Sequence, residues 1–304
     1  MKFSIVTPTY NGEKYLAETI ESIINQKGKF EIELIFVDNL STDDTINIIN
    51  NYNQKLIEKS HPIHCKSITF KIISEKDKGM YDALNKGFSL ATGDIYAWSN
   101  SDDIYLPGAF EVVSDVFENF KKILWLKGIT SYIDESSKLT RFGKCYLYYQ
   151  KWIRMGVYGR KLYFLQQSST FWRPELWRKV NGLDGKLKLA GDFGLWLKFA
   201  QYTPLYSLNF KTDCFRFRSG QLSEDKSNYY KECDLILPLS SHIEKKINSY
   251  KKYRVFFPDF FRPFIYLIIL GFHKFHLIDI VINKEKYDYK LRKFYIYDFW
   301  NSLY

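Results

Sequence analysis

Over its first hundred residues the chain switches repeatedly between two hydrophobic periodicities, and that alternation restricts it to very few architectures. Residues 3–7 form a short β-branched run, after which residues 13–26 place Tyr15, Leu16, Thr19, Ile20, Ile23 and Ile24 on one helical face. Residues 32–37 are almost continuously apolar, as a strand covered on both faces must be. A second helix starts at Asp43 or Asp44 and runs through Ile46, Ile49 and Ile57; residues 70–74, 80–91 and 94–99 then read as strand, helix and strand. Such short-range alternation, with right-handed crossovers, gives an α/β fold: a mostly parallel, Rossmann-like sheet with helices on both faces.

In open sheets of this kind ligands bind beyond the carboxyl ends of the strands. Each strand here runs out into polar residues: Thr7-Pro8-Thr9-Tyr10-Asn11, Asp38-Asn39-Leu40-Ser41, Glu75-Lys76-Asp77-Lys78-Gly79 and Asn100-Ser101-Asp102-Asp103. One such loop would be ordinary solvated chain, whereas four in succession imply a site. The adjacent carboxylates Asp102 and Asp103 offer hard oxygen ligands for Mn²⁺ or Mg²⁺, ions usually shared with substrate phosphates, although turns and helix caps use Asp pairs freely. An ion there would neutralise charge on a diphosphate leaving group. Asp38 is placed to accept from a base N–H or ribose hydroxyls, Lys78 to meet a phosphate, and Tyr10 to offer a ring face to a base. Neither G-x-G-x-x-G nor G-x-x-x-x-G-K-[ST] occurs, which disfavours a dinucleotide cofactor and an ATP P-loop.

The middle of the chain is less regular. Residues 123–128 and 169–172 read as strands, and 174–180 as a helix with Pro174 in its first turn. Residues 192–202 read as a helix capped by Gly191 or Asp192, and 205–208 and 213–217 as two further strands.

The runs Ser4 to Asn11, Val37 to Thr45 (VDNLSTDDT) and Glu75 to Asp103, continued by Gln167 to Arg173 and Leu189 to Leu197, resemble the family 2 glycosyltransferases of the GT-A fold found in bacterial surface-polysaccharide assembly. The resemblance spans roughly residues 3–223. It implies that Thr7, Pro8, Thr9, Tyr10 and Asp38 form the nucleoside-binding site and that Asp77, Lys78 and Gly79 contact the nucleotide. Ser101, Asp102 and Asp103 match the metal–diphosphate motif, with Asp102 towards the ribose and Asp103 the likelier metal ligand. Asp192 takes the general-base position, so that an acceptor hydroxyl displaces the nucleotide with inversion. As a helix cap, Asp192 would have a structural role instead.

One departure stands out. Where the family often carries a His near the end of the catalytic domain, this chain has Arg218. A guanidinium cannot ligate a cation but can fork onto phosphate oxygens; Arg218, with Arg216, is therefore expected to replace part of the metal's role.

Residues 1–222 thus read as a GT-A catalytic domain and 223–304 as a helical extension for membrane association or oligomerisation. From Glu244 to Tyr304 twelve Lys/Arg face six Asp/Glu, supplying +6 of the chain's +10 charge, and bulky aromatics lie between them. That mixture suits an interfacial segment on an anionic membrane as well as a helical flap packed on the catalytic domain. No nucleic-acid-binding motif accompanies it. The apolar stretch before Pro8 is too short for a signal-peptide core, and residues 264–272, the nearest approach to a membrane span, reach half the ~18 residues needed. Four scattered cysteines without C-x-x-C suit a reducing compartment. The expected protein is a cytoplasmic enzyme, peripheral on the inner membrane face, passing a sugar from a nucleotide-diphosphate donor, UDP-linked, to a glycan or lipid-linked acceptor. A sugar nucleotidyltransferase and a catalytically silent binding module are the alternatives. His61-x-x-His64-Cys65 has ligand-like spacing without a fourth ligand, His273 and His276 share a helical face, and Trp172, Trp177 and Trp196 read as core or acceptor-site walls.

Overall fold

The computed structural model describes residues 1–256, 276–281 and 293–298. The alternation at the start of the chain folds into β1 (Lys2–Thr9), α1 (Glu13–Ile24), β2 (Glu31–Asp38), α2 (Thr45–Ile57), β3 (Ser67–Ser74), α3 (Met80–Ser89) and β4 (Ile95–Trp98). The strands β1, β2 and β3 run parallel in a register that sets Thr9 opposite Asp38 and Asp38 opposite Ser74. Their carboxyl ends therefore finish level, and β4 joins β1 with Val6 opposite Trp98. After them come β5 (Ile104–Tyr105), α4 (Ala109–Asn119), β6 (Trp125–Ile133), β7 (Leu139–Arg141), α5 (Gln150–Arg154), β8 (Thr170–Trp172), α6 (Pro174–Lys179), α7 (Gly191–Tyr202) and β9 (Tyr206–Arg216). Helices α8 (Lys226–Ile236) and α9 (Ser241–Phe256) and strands β10 (His276–Val281) and β11 (Lys293–Asp298) complete the described residues. The sheet order is β11-β10-β9-β6-β8-β4-β1-β2-β3, with β5 on β9 and β7 on β6.

Successive strand residues point to opposite faces, so each central strand feeds two cores. Ile5 packs with Leu16, Ile20, Phe110 and Phe117 under α1 and α4, while its neighbour Val6 packs with Leu84, Phe88, Trp98 and Trp172 under α3. Gly87 permits that second layer: a Cβ there would lie 2.3 Å from Val6 Cγ1, so α3 rests directly on β1. Trp172, Trp177 and Trp196 are core residues around Phe88 and Phe199 and do not reach the cleft described below.

Three expectations change. The two strands read at 205–208 and 213–217 are one, β9, which pairs with β6 along its length through register shifts between Lys127 and Thr130. The extension is not wholly helical: beyond α9, β10 pairs parallel with β9 and β11 antiparallel with β10, so His276 opens a strand. Helix α8, across the expected boundary at 222/223, buries Cys233 against Ala190, Phe193 and Leu197. His273 and the aromatic run 257–275 lie outside the described residues. Among the described residues no helix is long and apolar enough to cross a membrane, and the four cysteines are free thiols.

Glu33 is the polar keystone at the opposite end of the sheet. Buried on β2, it accepts from Ser4 Oγ (2.5 Å), Thr92 N (2.8 Å) and Thr92 Oγ1 (2.9 Å), and pairs with Lys71 (2.7 Å) and Lys2 (3.2 Å). Burial alone would raise its pKa, but the bonds from Lys71, Ser4 and Thr92 outweigh it and hold the carboxyl at about 2. Because the folded value lies below the unfolded one, this contribution is complete above pH 4.5 and is lost as pH falls towards 2. Glu33→Ala should cost about 2–4 kcal/mol at neutral pH through the stranded donors, and the difference from the parent in urea denaturation should shrink at pH 3.

Candidate active site

A cleft of about 1760 Å³ opens where the strand ends finish level. Pro8, Thr9 and Tyr10 at the end of β1, Asn39 after β2, Asp77 and Gly79 after β3, and Asn100, Ser101 and Asp102 after β4 line one side. Tyr10 is 62% exposed, leaving its ring face open. Gly79, at φ 123° in the left-handed half of the map, turns the chain from the Asp77 loop into α3. The loops are cross-tied: Asn11 N donates to Ser41 Oγ and Thr42 N to Asn11 Oδ1, both at 2.9 Å.

Four expected site residues stand elsewhere. Asp38, expected to read the base or ribose, is fully buried and accepts from Thr9 Oγ1, Ser41 N, Ser41 Oγ and Ser74 Oγ. It binds the ends of β1, β2 and β3 together, and Asn39 faces the cleft in its place. Thr7 lies buried beneath the loop, and the Lys78 side chain is exposed outside the lining. Asp103, expected as the likelier metal ligand, is 1% exposed and points inward. Its Oδ1 accepts from Arg216 N (3.0 Å) and its Oδ2 from Asn100 Nδ2 (3.1 Å), and burial together with neighbouring Asp102 pushes its pKa up.

The two arginines also part company. Arg216 is buried with no exposure: Nε donates to Asp102 O (2.8 Å), one terminal nitrogen to Asp134 O (3.1 Å) and Ser137 Oγ (2.9 Å), the other to Glu18 (2.5 Å). It holds the wall and has no nitrogen to spare for a phosphate, which corrects the expected role. Arg218 lines the cleft and donates from Nε to Asp102 Oδ2 at 2.6 Å.

Asp192 lies in the first turn of α7 and lines the same cleft as the β4 loop. The N-cap position belongs to Ala190, and from within the first turn Asp192 Oδ1 accepts from Phe193 N (2.7 Å). Burial raises its pKa to about 7, the range in which a carboxylate serves as a general base near neutrality.

Sequence reasoning missed the third wall. Tyr132, Phe142, Tyr146, Tyr148, Tyr163 and Phe217 line the cleft, with Tyr146 stacked on Tyr163 (centroids 3.8 Å) and Tyr132 on Phe217 (5.3 Å). The even spacing of Phe142, Tyr146 and Tyr148 was the available signal for an extended aromatic face. Beneath it Lys127 donates to Ser169 Oγ (2.5 Å), its pKa lowered by burial to about 8, and Asp213, raised by burial to about 6, accepts from Ser168 Oγ (2.5 Å). Both were overlooked because a buried Lys in a strand carries no motif.

Residues 4–172 match the family described as glycosyl transferase family 2. The chain belongs to that family. It is 28% identical over 206 residues to an uncharacterized glycosyltransferase of Rickettsia typhi, an alignment covering 67% of this chain and 60% of the relative. It is 26% identical over 209 residues to the chondroitin synthase of Escherichia coli, covering 68% and 27% of the two chains. In structure it is similar to S. aureus TarS in complex with UDP-GlcNAc (TM-score 0.58, 19% identity, 81% of this chain and 70% of that one). It is also similar to the Pyrobaculum calidifontis mannosyltransferase in complex with GDP-Man and Mn²⁺ (TM-score 0.52, 16% identity, 73% and 59%). These likenesses establish the GT-A fold, and this chain spans about 60% of the Rickettsia relative's length.

Among the described residues no group of three or more His, Cys, Asp or Glu could enclose a metal ion. The wall does offer Asp102, whose Oδ1 is not taken by Arg218. One carboxylate suits a hard cation that completes its shell with substrate phosphates and water. Asp103→Ala, which strands the Arg216 and Asn100 donors, should lower stability by about 2–4 kcal/mol. Asp102→Ala should leave the thermal midpoint nearly unchanged while weakening nucleotide binding, both read by thermal shift with and without UDP.

Proposed function

We propose that this chain is an inverting transferase that moves a sugar from a nucleoside diphosphate, UDP by preference, to a hydroxyl of a growing surface glycan. The observation that carries the reading is that Asp192, a carboxylate raised by burial to a pKa of about 7, lines the same cleft as the Asp102–Arg218 pair. Tyr10 and the Thr9 loop offer a face to the base, Asn39 and Asp77 polar groups to the ribose, and Arg218 a fork to the diphosphate. Asp102 would hold Mn²⁺ or Mg²⁺ together with the donor phosphates; the bound ion supplies positive charge to the leaving diphosphate.

Asp192 accepts the proton of the acceptor hydroxyl as that oxygen bonds to the anomeric carbon. The carbon–oxygen bond to the diphosphate breaks, its electron pair leaving with the nucleotide, so one displacement inverts the anomeric centre. Stacked tyrosines suit the apolar faces of sugar rings, which assigns the aromatic wall to the acceptor. That chondroitin synthase and a UDP-GlcNAc-binding protein are among the similar proteins supports a UDP-sugar donor and a polysaccharide product. The lipid-linked acceptor and attachment to an anionic membrane belong to the same proposal, through the basic aromatic residues of the C-terminal segment.

Calorimetry with UDP, GDP and dTDP, with and without Mn²⁺, tests the donor site; no binding by any nucleotide would defeat the proposal. Arg218→Ala should weaken the preferred nucleotide about tenfold. Asp192→Asn should bind it normally yet lose at least ~10²-fold in turnover. Since Asp192 acts ionised, kcat/KM should fall tenfold per pH unit below about 7 and level off above it.

A further inference from the structure

The turn that carries Asp192 has no cap of its own. Three consecutive backbone N–H groups, those of Lys188, Leu189 and Ala190, lead into α7, and the N-cap residue is Ala190, which has no side-chain acceptor. Helices normally use Ser, Thr, Asp or Asn there. The three amides that precede α7 find their acceptor on another helix, more than forty residues further on. Glu232 of α8 takes Leu189 N and Ala190 N on Oε2, each at 2.8 Å, and Lys188 N on Oε1 at 3.0 Å. A carboxylate there also complements the positive end of the α7 dipole.

We infer that Glu232 is a positioning residue for the transfer reaction: its carboxylate fixes the 188–190 turn so that Asp192 stays aimed into the cleft. This rests on the reading of Asp192 as the base.

The turn is held from three sides. Cys233, next to Glu232, is buried against Ala190, Phe193 and Leu197, so α8 cannot shift without disturbing the face beneath the turn. The Tyr81 ring lies so close to Gly191 that a Cβ there would meet it at 2.6 Å, which blocks movement towards α3. The Lys188 ammonium donates to Lys78 O at 2.6 Å, tying the turn to the loop on which Asp77 and Gly79 line the donor side. Glu232 therefore completes a chain of contacts from the nucleotide loop to the turn that carries the base, while Asp192 Oδ1 takes Phe193 N within α7.

The full chain is compared with Glu232→Gln, Asp192→Asn and the double variant. Glutamine keeps the shape but offers one acceptor atom where glutamate offers two. In Glu232→Gln the amides of residues 188–190 should exchange with deuterium at least tenfold faster. The Asp192 titration, followed by selective ¹³C-carboxyl labelling, should move down from about 7 as water enters the turn. UDP affinity should stay within twofold. With the nucleotide sugar that supports turnover, kcat should drop at least tenfold at unchanged donor KM, and the substitution should add nothing in the Asp192→Asn background. Unchanged exchange at 188–190, or faster exchange with an unmoved Asp192 titration, overturns the inference and leaves Glu232 a purely structural contact. Full turnover by Asp192→Asn instead defeats the base reading, whatever the exchange data show.

Discussion

The Arg216 guanidinium, shut away from water, ties four stretches of chain together under the cleft. Burying a charge costs more than a single ion pair returns unless its remaining donors are also satisfied. Here the donors reach the carbonyl of Asp102 after β4, Asp134 and Ser137 after β6, and Glu18 on α1, while the backbone amide holds Asp103. With its main chain gripped in this way, Asp102 can turn its side chain outward to Arg218. The division of labour between the two neighbouring carboxylates follows from that anchor.

How far the site could be read from the sequence depends on which physical signal each part carries. Strand and helix periodicities were strong enough to locate the first four strands to within a few residues, and because ligands gather at strand ends, Pro8 to Tyr10, Asp77, Gly79, Ser101 and Asp102 were found with them. Orientation was lost where it depends on pairing. Which of Asp102 and Asp103 faces the cleft is set by β5 joining β9, with Ile104 opposite Cys214, a contact more than a hundred residues apart. Asp38 carries the right residue type for a ligand contact, yet hydroxyls from three strand ends consume its oxygens. Arg216 and Arg218 were legible in principle: two residues apart at the close of one strand, they differ because one ends within the sheet and the other lies just past it.

The cleft also depends on groups with no motif. Lys127 and Asp213 stand on the paired strands β6 and β9, with Asp213 opposite Thr130, and Thr130, Ser168 and Ser169 link them. Buried polar groups keep a defined arrangement only when every member finds a partner, so this floor gives the aromatic wall a rigid backing. Glu232 belongs to the same class: its partners are the backbone amides of residues 188–190, and no inspection of residues 226–236 alone would disclose them.

The wall formed by Phe142, Tyr146, Tyr148 and Tyr163 comes from a stretch that mostly stands outside the sheet, whereas the donor side is built from strand ends that the core holds in register. The two halves of the cleft are thus under different mutational constraints. A change in residues 142–166 leaves the register of β1 to β4 intact, so, on the proposed assignment of the aromatic wall to the acceptor, the identity of the glycosylated molecule can drift during descent while the donor side is inherited unaltered.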